Sequence, residues 1–220
     1  MTTKTKKHTK YFLSDGTQVA GVTTALSIIA KPALAPAANK LGLLGINSNI
    51  YWRELADIGT ISHYLILCYL KKIKPDTSEY KKDLIDKAEN SFLSYLEWEK
   101  NHKIEPVLLE TPLVSEVFKF GMTMDILCHL DEKPILTLID IKTGSIYDEA
   151  YYQGCAYING LHEHNYGPEE LLILGIPRTV DENFTEKWFY EFVPGFKIFM
   201  DCLELYTAIK NYKEAIKEEK

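Results

Sequence analysis

Along this chain the spacing of apolar residues changes twice, dividing it into a helical first part, a strand-rich middle and a mixed end. Residues 11–20 place short apolar segments on either side of Asp15-Gly16, a dipeptide that favours a tight hairpin turn, so a small β-hairpin is expected to open the fold. Thr23 or Thr24 is expected to cap a helix next, and Pro32 and Pro36 punctuate the stretch after it. Over 49–72, Leu55, Ile58, Leu65 and Ile66 recur at helical spacing. Pro75 breaks that run. The stretch 78–100 then sets Leu84, Ala88, Phe92, Tyr95 and Leu96 against a charged side, as an amphipathic helix does, and Pro106 marks its end.

The spacing then shortens. Segments 107–117, 121–130 and 135–141 are rich in Val, Ile, Leu, Met and Phe and are bounded by Pro, Gly and an Asp-Glu-Lys-Pro turn, which reads as three consecutive strands of a meander. Helical spacing returns over 148–163, two further strands are expected at 171–177 and 188–193, and an amphipathic helix runs from Gly195 onward. This order predicts a mixed α/β (α+β) fold, with a central mixed sheet flanked by helices and a helical N-terminal portion (22–103) preceding the core (104–220).

Composition narrows the picture without redirecting it. With 220 residues and 46% hydrophobic content, one domain over 11–220 is expected, preceded by a basic flexible tail, 1–10, that holds Lys4, Lys6, Lys7 and Lys10. No run of 18 apolar residues occurs and the start lacks the apolar stretch of a secretory leader, so a soluble, cytoplasmic (or phage-encoded and intracellular) protein with no membrane partner is expected. Cys68, Cys128, Cys155 and Cys202 lie far apart with no CxxC pair, which argues against a zinc knuckle or a disulfide framework and suits small buried apolar residues. The net charge of −6 works against non-specific attraction to nucleic acid. Two features temper it: the lysines are concentrated at the start, and acidic groups gathered at a metal site are offset by the metal.

The chemistry-bearing residues fall on the middle strands. Asp125 ends the second of them, and Asp140-Ile141-Lys142 ends the third. Alternation puts Asp140 and Lys142 on one face and Ile141 on the other. If the neighbouring strand brings Asp125 alongside, two carboxylates and the Ile141 carbonyl offer the oxygen ligands that magnesium prefers, and Lys142 faces the same phosphate. Such a group suits phosphodiester hydrolysis.

The segments GMTMD, LIDIKTG and YYQGCAY, in that order, resemble the core of PD-(D/E)XK nucleases, in particular the RecB-like exonuclease branch. The resemblance implies a restriction-endonuclease-like core. It also implies that Gln153 and Tyr157, four residues apart on one helix, face the catalytic group. Gly59-Thr60-Ile61-Ser62-His63 is similar to the family's upstream G-x-x-x-H, which implies His63 as a further metal ligand, an imidazole that suits manganese better than magnesium. One more acid is implied on the first strand. Parity leaves Glu110 and Glu116 equivalent, and Glu110 is preferred because LLETPLV resembles the corresponding segment of phage-type and mitochondrial genome-maintenance exonucleases.

The implied activity is a magnesium- or manganese-dependent deoxyribonuclease, an exonuclease of DNA recombination, repair or phage DNA processing. Its metal ligands would be His63, Glu110, Asp125, Asp140 and the Ile141 carbonyl, and its catalytic set Asp125, Asp140, Lys142, Gln153 and Tyr157. DNA is the expected partner, with recombination or replication proteins beside it. No iron-sulfur cluster is expected, since only Cys202 lies near the C-terminus, and no GxxxxGK[ST] motor motif occurs. The rival classes are a catalytically silent nucleic-acid-binding or assembly module of the same fold and a metal-independent interaction domain.

Overall fold

The computed structural model describes residues 9–179 and 181–218. Most of the basic tail, residues 1–8, lies outside the described residues, and Thr9 and Lys10 are exposed. The expected hairpin is formed by β1 (Tyr11–Phe12) and β2 (Gln18–Gly21), paired antiparallel. Its turn uses Gly16 at φ 84, with the Asp15 carboxylate accepting from Thr17 N at 2.8 Å.

Helix α1 (Val22–Leu26) starts where β2 ends, and no side chain caps it, so neither Thr23 nor Thr24 plays the expected role. Tertiary pairing sets this boundary instead. The ring of Tyr11 lies against Gly21 and Gly121, where an added Cβ would come within 2.9 and 1.8 Å of it. Only glycine permits that approach at Gly121.

Helix α2 (Leu34–Leu43) comes next, unannounced by the apolar pattern, because none of its residues is buried. Pro36 falls in its first turn, where a backbone N–H has no partner to lose. In α3 (Ser48–Leu70) the first turn is capped by Asn47 Oδ1, which accepts from Asn49 N at 3.0 Å and Ile50 N at 3.2 Å. Helix α4 (Lys82–Glu99) begins later than expected, since Ser78 is bound to Asp76 Oδ1 in a preceding turn.

Three strands form the meander: β3 (Ile104–Ser115), β4 (Phe120–Leu130) and β5 (Leu136–Thr143). Pro106 does not end the helix but lies in β3, which pairs only with β4, so an edge position spares the sheet a lost hydrogen bond. After α5 (Asp148–Glu163), β6 (Pro168–Ile176) pairs parallel to β5 and β7 (Thr185–Phe189) pairs antiparallel to β6. Helix α6 (Val193–Glu218) closes the chain. The protein is thus a mixed α/β fold, a seven-stranded mixed sheet between helices.

The position of the site is set by β4. On one edge it pairs with β3 at every residue but Asp125, while on the other edge β2 takes Phe120 and Gly121 and β5 takes Ile126 to Cys128. Between those two partners the edge is open, at Met122 to Asp125. Side-chain parity switches there too. Met122, Met124 and Leu127 all enter the core under α5 and α6, whereas Ile126 and Cys128 enter the core under α3 and α4 with Ile139, Ile141, Tyr95 and Trp98. Strand β3 switches in step, with Glu110 at φ 42 opposite Asp125. Both cores are packed with fully buried side chains, each contributing about 1.5–3 kcal/mol, so the sheet around the gap is held firmly.

Candidate active site

Asp140 and Lys142 share the face of β5 that carries Leu138 toward α5, and Ile141 is buried in the opposite core, as alternation predicts. Lys142 Nζ lies 2.6 Å from Asp140 Oδ2 as an ion pair, but out of line for a directed hydrogen bond. Asp140 is 1% exposed, and among the described residues that buried oxygen has the ion pair with the ammonium but no directed hydrogen bond.

From α5, Gln153 meets both groups. Its Oε1 accepts from Lys142 Nζ at 3.1 Å, and its Nε2 donates to Tyr157 Oη at 2.7 Å and, at a long 3.4 Å, to Asp140 Oδ1. The amide thus offers oxygen to the cation and nitrogen to the acceptors. One turn separates Gln153 from Tyr157, which is why both reach the same place.

Asp125 stands where β5 diverges from β4. Its Oδ2 accepts from Ile141 N at 2.7 Å, replacing the ladder bond that the divergence removes, and its Oδ1 lies 3.1 Å from His63 Nδ1. The His63 and Asp125 side chains are 25% and 18% exposed. His63 arrives from α3, on the other side of the sheet, because Gly59 lets that helix approach: a Cβ at Gly59 would stand 3.0 Å from Thr143 Oγ1. Glycine and histidine four residues apart share a helix face, so the close contact and the His63 imidazole belong together.

Glu110 is exposed at the rim of the cleft that holds Asp125, Thr123 and Tyr157. Glu116 is elsewhere, beyond the end of β3, accepting from Ser14 N at 2.7 Å. The parity equivalence of the two glutamates fails because Glu110 sits at the switch in facing. His164 is partly buried, with Nε2 3.0 Å from Val114 O. Cys68, Cys128 and Cys155 are buried, and all four cysteines are free.

Charge is governed by this geometry. Burial pushes the Asp140 carboxyl up, to about 6, with the Asp125 charge adding to it against the pull of Lys142. Burial also opposes ionisation of Asp125, yet His63, Lys142 and the Ile141 N–H together hold it below the usual carboxylate range. For His63, burial resists protonation, but the charge and hydrogen bond of Asp125 prevail and raise it. Burial, then the two aspartates, keeps the Tyr157 hydroxyl protonated far above its ordinary range. Crowding by the protein, then Asp125, raises Glu110. Among the described residues no three His, Cys, Asp or Glu side chains are drawn together as a ready metal cage.

One residue at the site left no motif in the sequence. Arg178, one of two arginines in the chain, comes after β6 and donates from Nη2 to Thr143 O at 2.6 Å, directly after Lys142. Its guanidinium packs on Gly144, whose φ of 87 and absent Cβ make room for it, and its Nε is buried without a partner. Arginine rarity was the signal available.

No family model matches this chain, and no curated protein matches it. Among solved structures it is similar to one described as "Crystal structure of SSO0001", at 13% identity and a TM-score of 0.40, with 86% of this chain and 82% of that chain covered. Among the described residues no helix is long and apolar enough to cross a membrane.

Proposed function

We propose that the protein is a divalent-metal-dependent DNA nuclease of the PD-(D/E)XK type, RecB-like branch, acting as an exonuclease in recombination, repair or phage DNA processing. One observation carries this reading: Asp140 and Lys142 stand side by side, bridged by Gln153, with Asp125 tied to the same strand end through Ile141 N.

The donors fit a hard cation. Asp140 Oδ2 is a buried carboxylate oxygen without a directed hydrogen bond, and a second carboxylate lies close enough to raise its pKa. A cation beside two such groups favours the ionised form of both. A magnesium or manganese ion held by Asp125, Asp140 and the Ile141 carbonyl, with His63 and Glu110 assisting, would supply that charge and offset the charge gathering on the phosphate oxygens.

The remaining work belongs to side chains. Lys142 Nζ, ion-paired with Asp140, is placed to hydrogen-bond the attacking water and the phosphate. Gln153 fixes its direction, the neutral Tyr157 hydroxyl holds Gln153, and His63 holds Asp125. A second reading, a silent nucleic-acid-binding or assembly module, draws on Asp125, both of whose oxygens already have protein partners.

End-labelled linear and closed circular DNA, single- and double-stranded, incubated with magnesium, manganese or EDTA, tests the proposal. Metal-dependent loss of linear forms with circles spared is expected. Persistence of every form under both metals would favour the silent module.

A further inference from the structure

The cleft above Asp125 does not end at the catalytic group. Its volume is about 730 Å³, and its walls include Lys10, Tyr11, Thr24, Glu110 and Tyr157. A second cavity of about 610 Å³ shares the Thr9, Lys10, Tyr11, Gly21 and Thr24 wall and continues between the hairpin and the outer half of α6, past Lys119, Tyr206 and Lys210. The two adjoin at that shared wall as one lysine-lined groove, and the inner one reaches Thr123 and Asp125 on the open edge of β4.

Three lysines, Lys10, Lys119 and Lys210, are spread along this groove in a chain whose net charge is −6. Opposing them are Asp15, which feels the charge of Lys119, and Glu214, 3.8 Å from Lys210. Hydroxyls and amides of Thr17, Thr24, Thr207 and Asn211 fill the space between, the donor types that hold phosphate and sugar without reading sequence. Tyr206 adds an aromatic face on which a base can stack.

At the inner end the carboxylates are recessed, Asp125 being 18% and Asp140 1% exposed, a depth that suits the phosphate of one strand better than a paired duplex. We infer that this groove is the binding track of a single nucleic-acid strand, gripped through its phosphates by Lys210, Lys119 and Lys10 and delivered to Asp125. The inference rests on the nuclease reading.

Fluorescence anisotropy of a labelled oligothymidylate, in EDTA so that nothing is cleaved, tests the track. Lys10→Glu/Lys119→Glu/Lys210→Glu is compared with Lys81→Glu/Lys82→Glu/Lys87→Glu, which changes net charge equally at exposed positions in α4 and at its N-cap, across the sheet. Only the groove variant is expected to weaken binding, by about tenfold or more. Its plot of log K against log salt should flatten by about 0.7 for each lysine lost. If the groove variant fails to fold, Lys10→Gln and Lys210→Gln singly should each remove about 0.7 from that slope.

Equal weakening by both triple variants, unchanged binding by the groove variant, no binding by the wild type, or tighter binding of a blunt duplex than of the oligothymidylate would overturn the inference. Wild-type protein that binds yet never cleaves with metal defeats the nuclease reading alone. Cleavage by wild type with undiminished binding by the groove variant defeats the track alone.

Discussion

Asp140 is 1% exposed, and beside it stands Asp125, a second carboxylate whose charge raises its pKa. An acid whose pKa is raised by folding keeps its full contribution to stability below the unfolded value near ~4, loses it as pH rises to about 6, and does not regain it above. Asp140→Asn should therefore raise the melting temperature measured in EDTA at neutral pH, by about 2–4 °C for each kcal/mol recovered, although it abolishes cleavage. The difference between variant and wild type should grow between roughly pH 4 and 6 and then level off. A lower melting temperature for Asp140→Asn at every pH would mean that Lys142 compensates Asp140 fully. Gln153→Leu should act differently, leaving stability nearly intact while single-turnover cleavage falls, since Lys142 loses its guide; an unchanged rate would show that the amide does not orient it.

At this scale the sequence was legible where alternation alone decides, as with Asp140, Ile141 and Lys142. It was illegible at Glu110, whose φ of 42 is imposed by the facing switch shared with β4, and at Arg178, which reaches Thr143 from a separate strand end.

Among the elements, the boundaries that periodicity governs were readable: the hairpin, α3, the three meander strands and α5. Those that tertiary packing governs were not. Helix α2 buries nothing, so it left no apolar stripe to find, and α1 begins where β2 stops pairing with β4 rather than at a capping side chain. The hairpin's seat on Gly121 is correspondingly sensitive, because Tyr11 occupies the space of a Cβ and donates or accepts a 2.8 Å bond with Thr123 at the open edge of β4. Gly121→Val should cost about 1–3 kcal/mol by overpacking and loosen the wall of the cleft. Thermal melts and proteolysis near Asp15 would report it, and a Gly121→Val protein as stable and as resistant as wild type would contradict the packing described.

For the whole molecule, the deciding feature is a strand shared by three partners. Because β2 and β5 occupy separate stretches of one edge of β4, the sheet leaves a gap through which His63 from one helical layer and Gln153 from the other serve a common group. Periodicity assigned the strands but does not say which strands pair, and the parallel pairing of Ala20 with Phe120 joins segments far apart in the chain. Under the nuclease reading, metal binding and catalysis divide between Asp140 and Lys142 at this gap. Calorimetric metal titration with single-turnover cleavage of wild type and Lys142→Ala tests it most directly. Lys142→Ala is expected to bind magnesium still while its cleavage rate falls by about 10²- to 10⁴-fold. Cleavage by Lys142→Ala at the wild-type rate with saturating metal would contradict it.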